Sequence, residues 1–91
     1  MFNVICINDS HKPNDIPTSQ WIVKNREYFV IEVCKMKIQG GLLGFKLAEI
    51  NLDGCAPYQY YASNRFGITK QELDKMISEK KIVVTKEKEL V

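Results

Sequence analysis

No stretch of this 91-residue chain approaches the about 20 consecutive apolar residues that a membrane-spanning helix needs. No basic segment precedes the first apolar run, Val4 to Ile7, which is too short for the hydrophobic part of a signal peptide. The chain therefore reads as cytoplasmic. Charge of one sign is also scarce. The net charge is +2, with one excess positive charge in residues 1–68 and one in residues 69–91, so no strong field is offered to nucleic acid or an anionic membrane. Cysteine is limited to Cys6, Cys34 and Cys55, an odd number without paired spacing, which argues against a disulfide framework and for reduced, structural thiols. Histidine occurs once, at His11. A zinc site would have to use Cys6, His11, Cys34 and Cys55, which lack the close ligand pairs of structural zinc. Cys6 and His11 would be the sole nucleophile and base on offer, one in a strand core and the other past a turn. No acid, base and nucleophile set emerges, and the expectation is a non-enzyme without a cofactor or metal.

What is present is the composition of one small globular domain, 45% apolar and 26% charged. Its centre is the stretch from Glu27 to Leu52, which reads as a long β-hairpin. Gly40-Gly41 supplies the positive φ that a two-residue turn demands. That turn sets Ile38 opposite Leu43, Met36 opposite Phe45 and Cys34 opposite Leu47. Farther out, the apolar pairs move to the other face, as Val33 with Ala48, Ile31 with Ile50 and Phe29 with Leu52. Such a switch calls for a bent strand pair with a bulge near Val33-Cys34. The same register opposes Glu32 to Glu49 and Lys35 to Lys46, which is unfavourable.

Around the hairpin, Phe2 to Ile7 reads as a strand buried on both faces. Asn8 to Pro17 is an exposed loop rich in turn formers. Thr18 to Val23 is either a short strand or a turn, anchored by Trp21. Lys24-Asn25-Arg26 is a turn in which Asn25 takes the left-handed conformation. Asp53-Gly54 is another turn, Tyr58 to Tyr61 a strand by aromatic content, Ala62-Ser63-Asn64 a 3₁₀ turn, and Arg65 to Ile68 a brief closing strand. This order is that of a small SH3-like five-stranded barrel over residues 1–68, giving a mainly β (β+α) fold with a C-terminal helix. Thr69 and Glu72 form a capping box, from which a helix runs to about Lys80 with a narrow apolar stripe of Leu73, Met76 and Ile77. Residues 69–91 thus comprise a helix and a tail. In that tail Ile82-Val83-Val84 is a candidate edge strand, packed on the domain or swapped between copies, and Lys86 to Val91 reads as frayed.

The runs Val4-Ile5-Cys6-Ile7-Asn8, Tyr28-Phe29-Val30, Phe45-Lys46-Leu47 with Glu49-Ile50, and Tyr61-Ala62-Ser63-Asn64-Arg65-Phe66 carry a family likeness. Together they resemble a group of small uncharacterised bacterial and phage proteins with SH3-like β-barrels. The resemblance covers residues 2 to 68, implies the fold, and lends no activity.

Function is thus expected to be that of a non-enzymatic interaction module, binding a protein or peptide partner or self-associating. Tyr28, Tyr60 and Phe66 are assigned to the core. A binding face, if formed, uses Trp21, Tyr58, Tyr61 and Arg65, because flat rings grip a pre-extended ligand at small entropic cost. Self-association would use Leu73, Met76 and Ile77. Two alternatives stand beside this. One is a small RNA- or DNA-binding barrel, with Lys35, Lys37 and Lys46 on one face of the hairpin and Tyr58 or Tyr61 stacking on a base. The other is a structural phage or mobile-element accessory protein.

Overall fold

Ten residues, Glu27–Met36, form β2, the strand against which three others are laid. The computed structural model describes residues 2–36, 42–55, 58–80 and 84–88. Its other strands are β1 (Phe2–Ile5), β3 (Leu42–Leu47), β4 (Tyr61–Ala62) and β5 (Val84–Lys88), and its helix is α1 (Lys70–Ser78). The protein is mainly β. An open antiparallel sheet runs in the order β1-β2-β3-β4, and β5 joins β2 in parallel. Along one edge of β2, β1 pairs with residues as far as Val30, and β5 takes over from Val33. The other edge belongs to β3.

The hairpin exists, but its register differs by three residues from that expected. Val33 lies opposite Phe45, Cys34 opposite Gly44, Lys35 opposite Leu43 and Met36 opposite Leu42. An odd slip exchanges the two faces of a strand, and here the exchange is favourable. Val33 and Phe45 meet inside with no exposed surface. The two like-charge oppositions also vanish, because Glu32 now faces Lys46. The expected Gly40-Gly41 turn lies outside the described residues, as do Lys37, Ile38 and Ile82-Val83.

A bulge is present, displaced toward Ile31: the register shifts between Val30 and Glu32. Before it, Tyr28 and Val30 point inward, so Phe29 and Ile31, expected to be covered, are exposed. After it, Val33 is buried on one side, and Cys34 is buried on the other with Tyr60, flanked by Leu42 and Ala62. β1 departs from expectation in a similar way. Only Val4 and Cys6 are buried, whereas Ile5 and Ile7 are about half exposed, because one face of β1 has no covering layer among the described residues.

The turns behave as their chemistry requires. Asn25 has φ 72°, and its N–H donates to the Cys6 carbonyl at 2.7 Å. Gly54 has φ 77° in the turn closed by the Cys55 N–H on the Leu52 carbonyl at 3.0 Å. Thr18–Gln20 is a 3₁₀ turn, which resolves the open choice for that segment. The aromatic stretch at Tyr58 is strand only at Tyr61–Ala62, followed by a 3₁₀ turn at Ser63–Arg65. The closing strand reduces to one bridge, between Phe66 and Cys6.

The capping box is formed, with the Glu72 N–H donating to Thr69 Oγ1 at 3.1 Å and the Thr69 N–H to Glu72 Oε2 at 2.8 Å. Leu73 is buried in the main core, and Met76 and Ile77 pack against it half-buried, so much of the helical stripe is covered within one chain. The tail is not frayed as far as Lys88, because Val84–Lys88 is strand β5. Its backbone completes hydrogen bonds along the β2 edge that β1 leaves unused.

Candidate functional site: an aromatic groove with one arginine

The four residues expected to share a binding face lie near one another, but Tyr61 belongs to the core and is only 2% exposed. Trp21, Tyr58, Tyr61 and Arg65 line one groove of about 380 Å³, with Ile16, Leu52 and Tyr60 among their neighbours. Two stretches supply them, one ending at Trp21 and one running from Tyr58 to Arg65. The 3₁₀ turn at Thr18–Gln20 delivers Trp21, and the next residue, Ile22, is buried and anchors it. β4 delivers Tyr61, and the 3₁₀ turn after it ends at Arg65.

Polar contacts hold the arrangement in place. The Trp21 indole N–H donates to the Asp9 carbonyl at 2.8 Å, and the Asp9 carboxylate accepts the Lys24 N–H at 3.0 Å. Tyr61 donates its hydroxyl to the Gln20 carbonyl at 2.6 Å. Its ring is tilted 55° to that of Trp21 at a centroid separation of 6.0 Å. Burial pushes the Tyr61 phenol well above its ordinary range, with smaller contributions from Cys55 and Tyr28. The Arg65 guanidinium stands 5.0 Å from the Trp21 ring centroid and donates through Nη1 to the carbonyls of Ser10 at 2.7 Å and Asn8 at 3.4 Å. Its own carbonyl accepts the N–H groups of Ile7 and Asn8. Arg65 and the 8–10 loop therefore hold each other.

Gln20 was not legible as part of the site. Its Nε2 donates to the carbonyls of Asp53 at 2.9 Å and Asn51 at 3.2 Å, tying the Trp21 turn to the turn at Gly54. The acceptors are backbone groups, which leave no trace in residue identity. Glu32 was missed as a partner for an aromatic residue. Tyr60 donates to Glu32 Oε2, Lys46 Nζ sits 5.2 Å from the Tyr60 ring centroid, and burial first, then the Glu32 bond, raise the Tyr60 phenol strongly.

Other expectations fare differently. Lys35 and Lys46 do not share a face of the hairpin, since Lys35 alternates with Cys34 whereas Lys46 lies opposite Glu32, two residues from Cys34. Lys37, the third member of that set, lies outside the described residues. All three cysteines are buried free thiols, and burial raises the Cys6 thiol. His11 is exposed on its loop, its Nδ1 3.0 Å from Ser10 Oγ. Among the described residues no three of His, Cys, Asp and Glu stand close enough to hold a metal ion, and no helix is long and apolar enough to cross a membrane.

Compared with family models, curated proteins and solved structures, the chain matches none of them.

Proposed function

We propose that this domain is a non-enzymatic interaction module that takes an extended, proline-containing segment of a partner protein in the aromatic groove. One observation carries the reading: two half-buried rings, Trp21 and Tyr58, and the Arg65 cation line a single open depression that the buried Tyr61 also borders. A polyproline II segment needs little further ordering and packs its flat rings on aromatic faces, so a rigid ring-lined groove suits it. Two of the rings are held before any ligand arrives, because the Trp21 N–H and Tyr61 hydroxyl are bonded within the chain.

The same proposal treats the sheet as rolled into an SH3-like barrel, with the segment around Phe66 as its fifth strand. Support comes from the Cys6–Phe66 bridge and from two flanking bonds, Ile7 N–H to the Arg65 carbonyl and Gly67 N–H to the Ile5 carbonyl, each 2.8 Å. A reducing, cytoplasmic setting accords with three buried free thiols.

Amide chemical-shift mapping tests the binding reading. Adding a proline-rich peptide library should move the resonances of Trp21, Tyr58, Tyr61 and Arg65, while a proline-free library of matched charge should not. Shifts confined to the outer β1–β2 face, or appearing only with single-stranded RNA, would overturn it.

A further inference from the structure

From the bonding of Arg65 we infer that the groove's ligand carries a carboxylate beside its proline segment, and that this carboxylate docks on the Nε and Nη2 side of the guanidinium. The inference rests on the peptide reading above and names the chemistry of that ligand. Among the described lining residues Arg65 is the one with a charge. Both side-chain hydrogen bonds of Arg65 leave from Nη1 and end on neutral carbonyls, those of Ser10 and Asn8. No carboxylate of the described residues pairs with it. The nearby Asp9 carboxylate accepts the Lys24 N–H, and Glu32 accepts the Tyr60 hydroxyl. The guanidinium therefore has no carboxylate bonded to it among the described residues, and the donors on Nε and Nη2 form the planar fork that matches the two oxygens of a carboxylate.

Geometry favours a preset role. A surface arginine ordinarily loses rotamer freedom on binding, which offsets what the new contact contributes. Here the guanidinium already lies 5.0 Å from the Trp21 ring centroid and is bonded to the 8–10 loop, so that loss is incurred on folding. Two neutral groups of the groove, the Tyr58 hydroxyl and the Asn64 amide, make no hydrogen bond within the described residues and stand ready for backbone groups of the same segment. A basic ligand would meet only repulsion from Arg65.

The test varies the ligand and leaves the protein intact. Trp21 is the single tryptophan, so its fluorescence reports binding at the groove. Three blocked peptides are titrated, identical in their prolines and differing at one flanking position, which is glutamate, glutamine or lysine. The glutamate peptide should bind about tenfold more tightly than the glutamine peptide, as a charge-assisted two-point contact implies. The lysine peptide should be weakest, and the glutamate advantage should shrink as salt rises from roughly 50 to 200 mM. In R65K, which keeps the charge but not the fork, the advantage should fall to about twofold. Equal binding of the three peptides, or preference for lysine, would overturn the carboxylate while leaving the groove reading in place. Binding by none of them would instead overturn the groove reading itself.

Discussion

Tyr60 donates its phenolic hydrogen to Glu32, so a ring on the segment entering β4 is tied to a carboxylate in the middle of β2. Lys46 completes the group, opposite Glu32 in the strand register and 5.2 Å from the Tyr60 ring centroid. The Tyr60 side chain thus meets a carboxylate at its hydroxyl and a cation at its ring face. Tyr60→Phe should cost about 1–2 kcal/mol in urea unfolding, since it leaves a partly buried carboxylate without its donor.

The pH dependence follows from the same ring and from Tyr61. Both phenols are raised above the unfolded value of about 10, chiefly by burial. The folded state therefore favours their neutral forms. That contribution is fully present below pH of about 10 and is lost as pH rises through the folded values, because the unfolded chain releases these protons first. Absorbance titration at 295 nm should show Tyr60 and Tyr61 resisting ionisation beyond the ordinary tyrosine range, with stability falling in that window. Ordinary titration of all the tyrosines would contradict the burial described.

Charge across the hairpin can be reversed. Lys46→Glu places two carboxylates opposite each other on β2 and β3 and should destabilise by about 1 kcal/mol, whereas Lys46→Gln should cost less. Adding Glu32→Gln should relieve most of the loss in Lys46→Glu. If the two substitutions are strictly additive, the register is not the one described.

Helix α1 offers a separate pair of measurements. Thr69→Ala removes the capping hydroxyl and should cost about 1 kcal/mol. Leu73→Ala opens a cavity in the main core and should cost about 2–4 kcal/mol at every protein concentration, because Leu73 packs within its own chain. A cost that depends on concentration would place Leu73 in a subunit contact instead.

The turn at Asn25 has a narrower requirement. With φ 72°, Asn25→Gly should be neutral within a few tenths of a kcal/mol, and Asn25→Val should cost about 1–2 kcal/mol through steric conflict with the backbone. Thermal melts of the two variants distinguish these outcomes.

Features whose causes lie within a few residues could be read directly. The Thr69–Glu72 capping box, the left-handed Asn25 and the turn at Gly54 all follow from near-neighbour chemistry, which the order of residues carries in full. The existence of the β2–β3 hairpin was equally legible from its apolar arms. Folding alone selected the three-residue slip that joins Val33 to Phe45 and Glu32 to Lys46, because competing registers of one hairpin differ only in the sum of many cross-strand contacts and in what covers each face. Trp21, Tyr58, Tyr61 and Arg65 could be grouped by residue type, but their placement in one groove depends on Gln20, Asp9 and the 8–10 loop. The acceptors there are main-chain carbonyls, identical at every residue, so only the packed chain decides which of them a side chain meets.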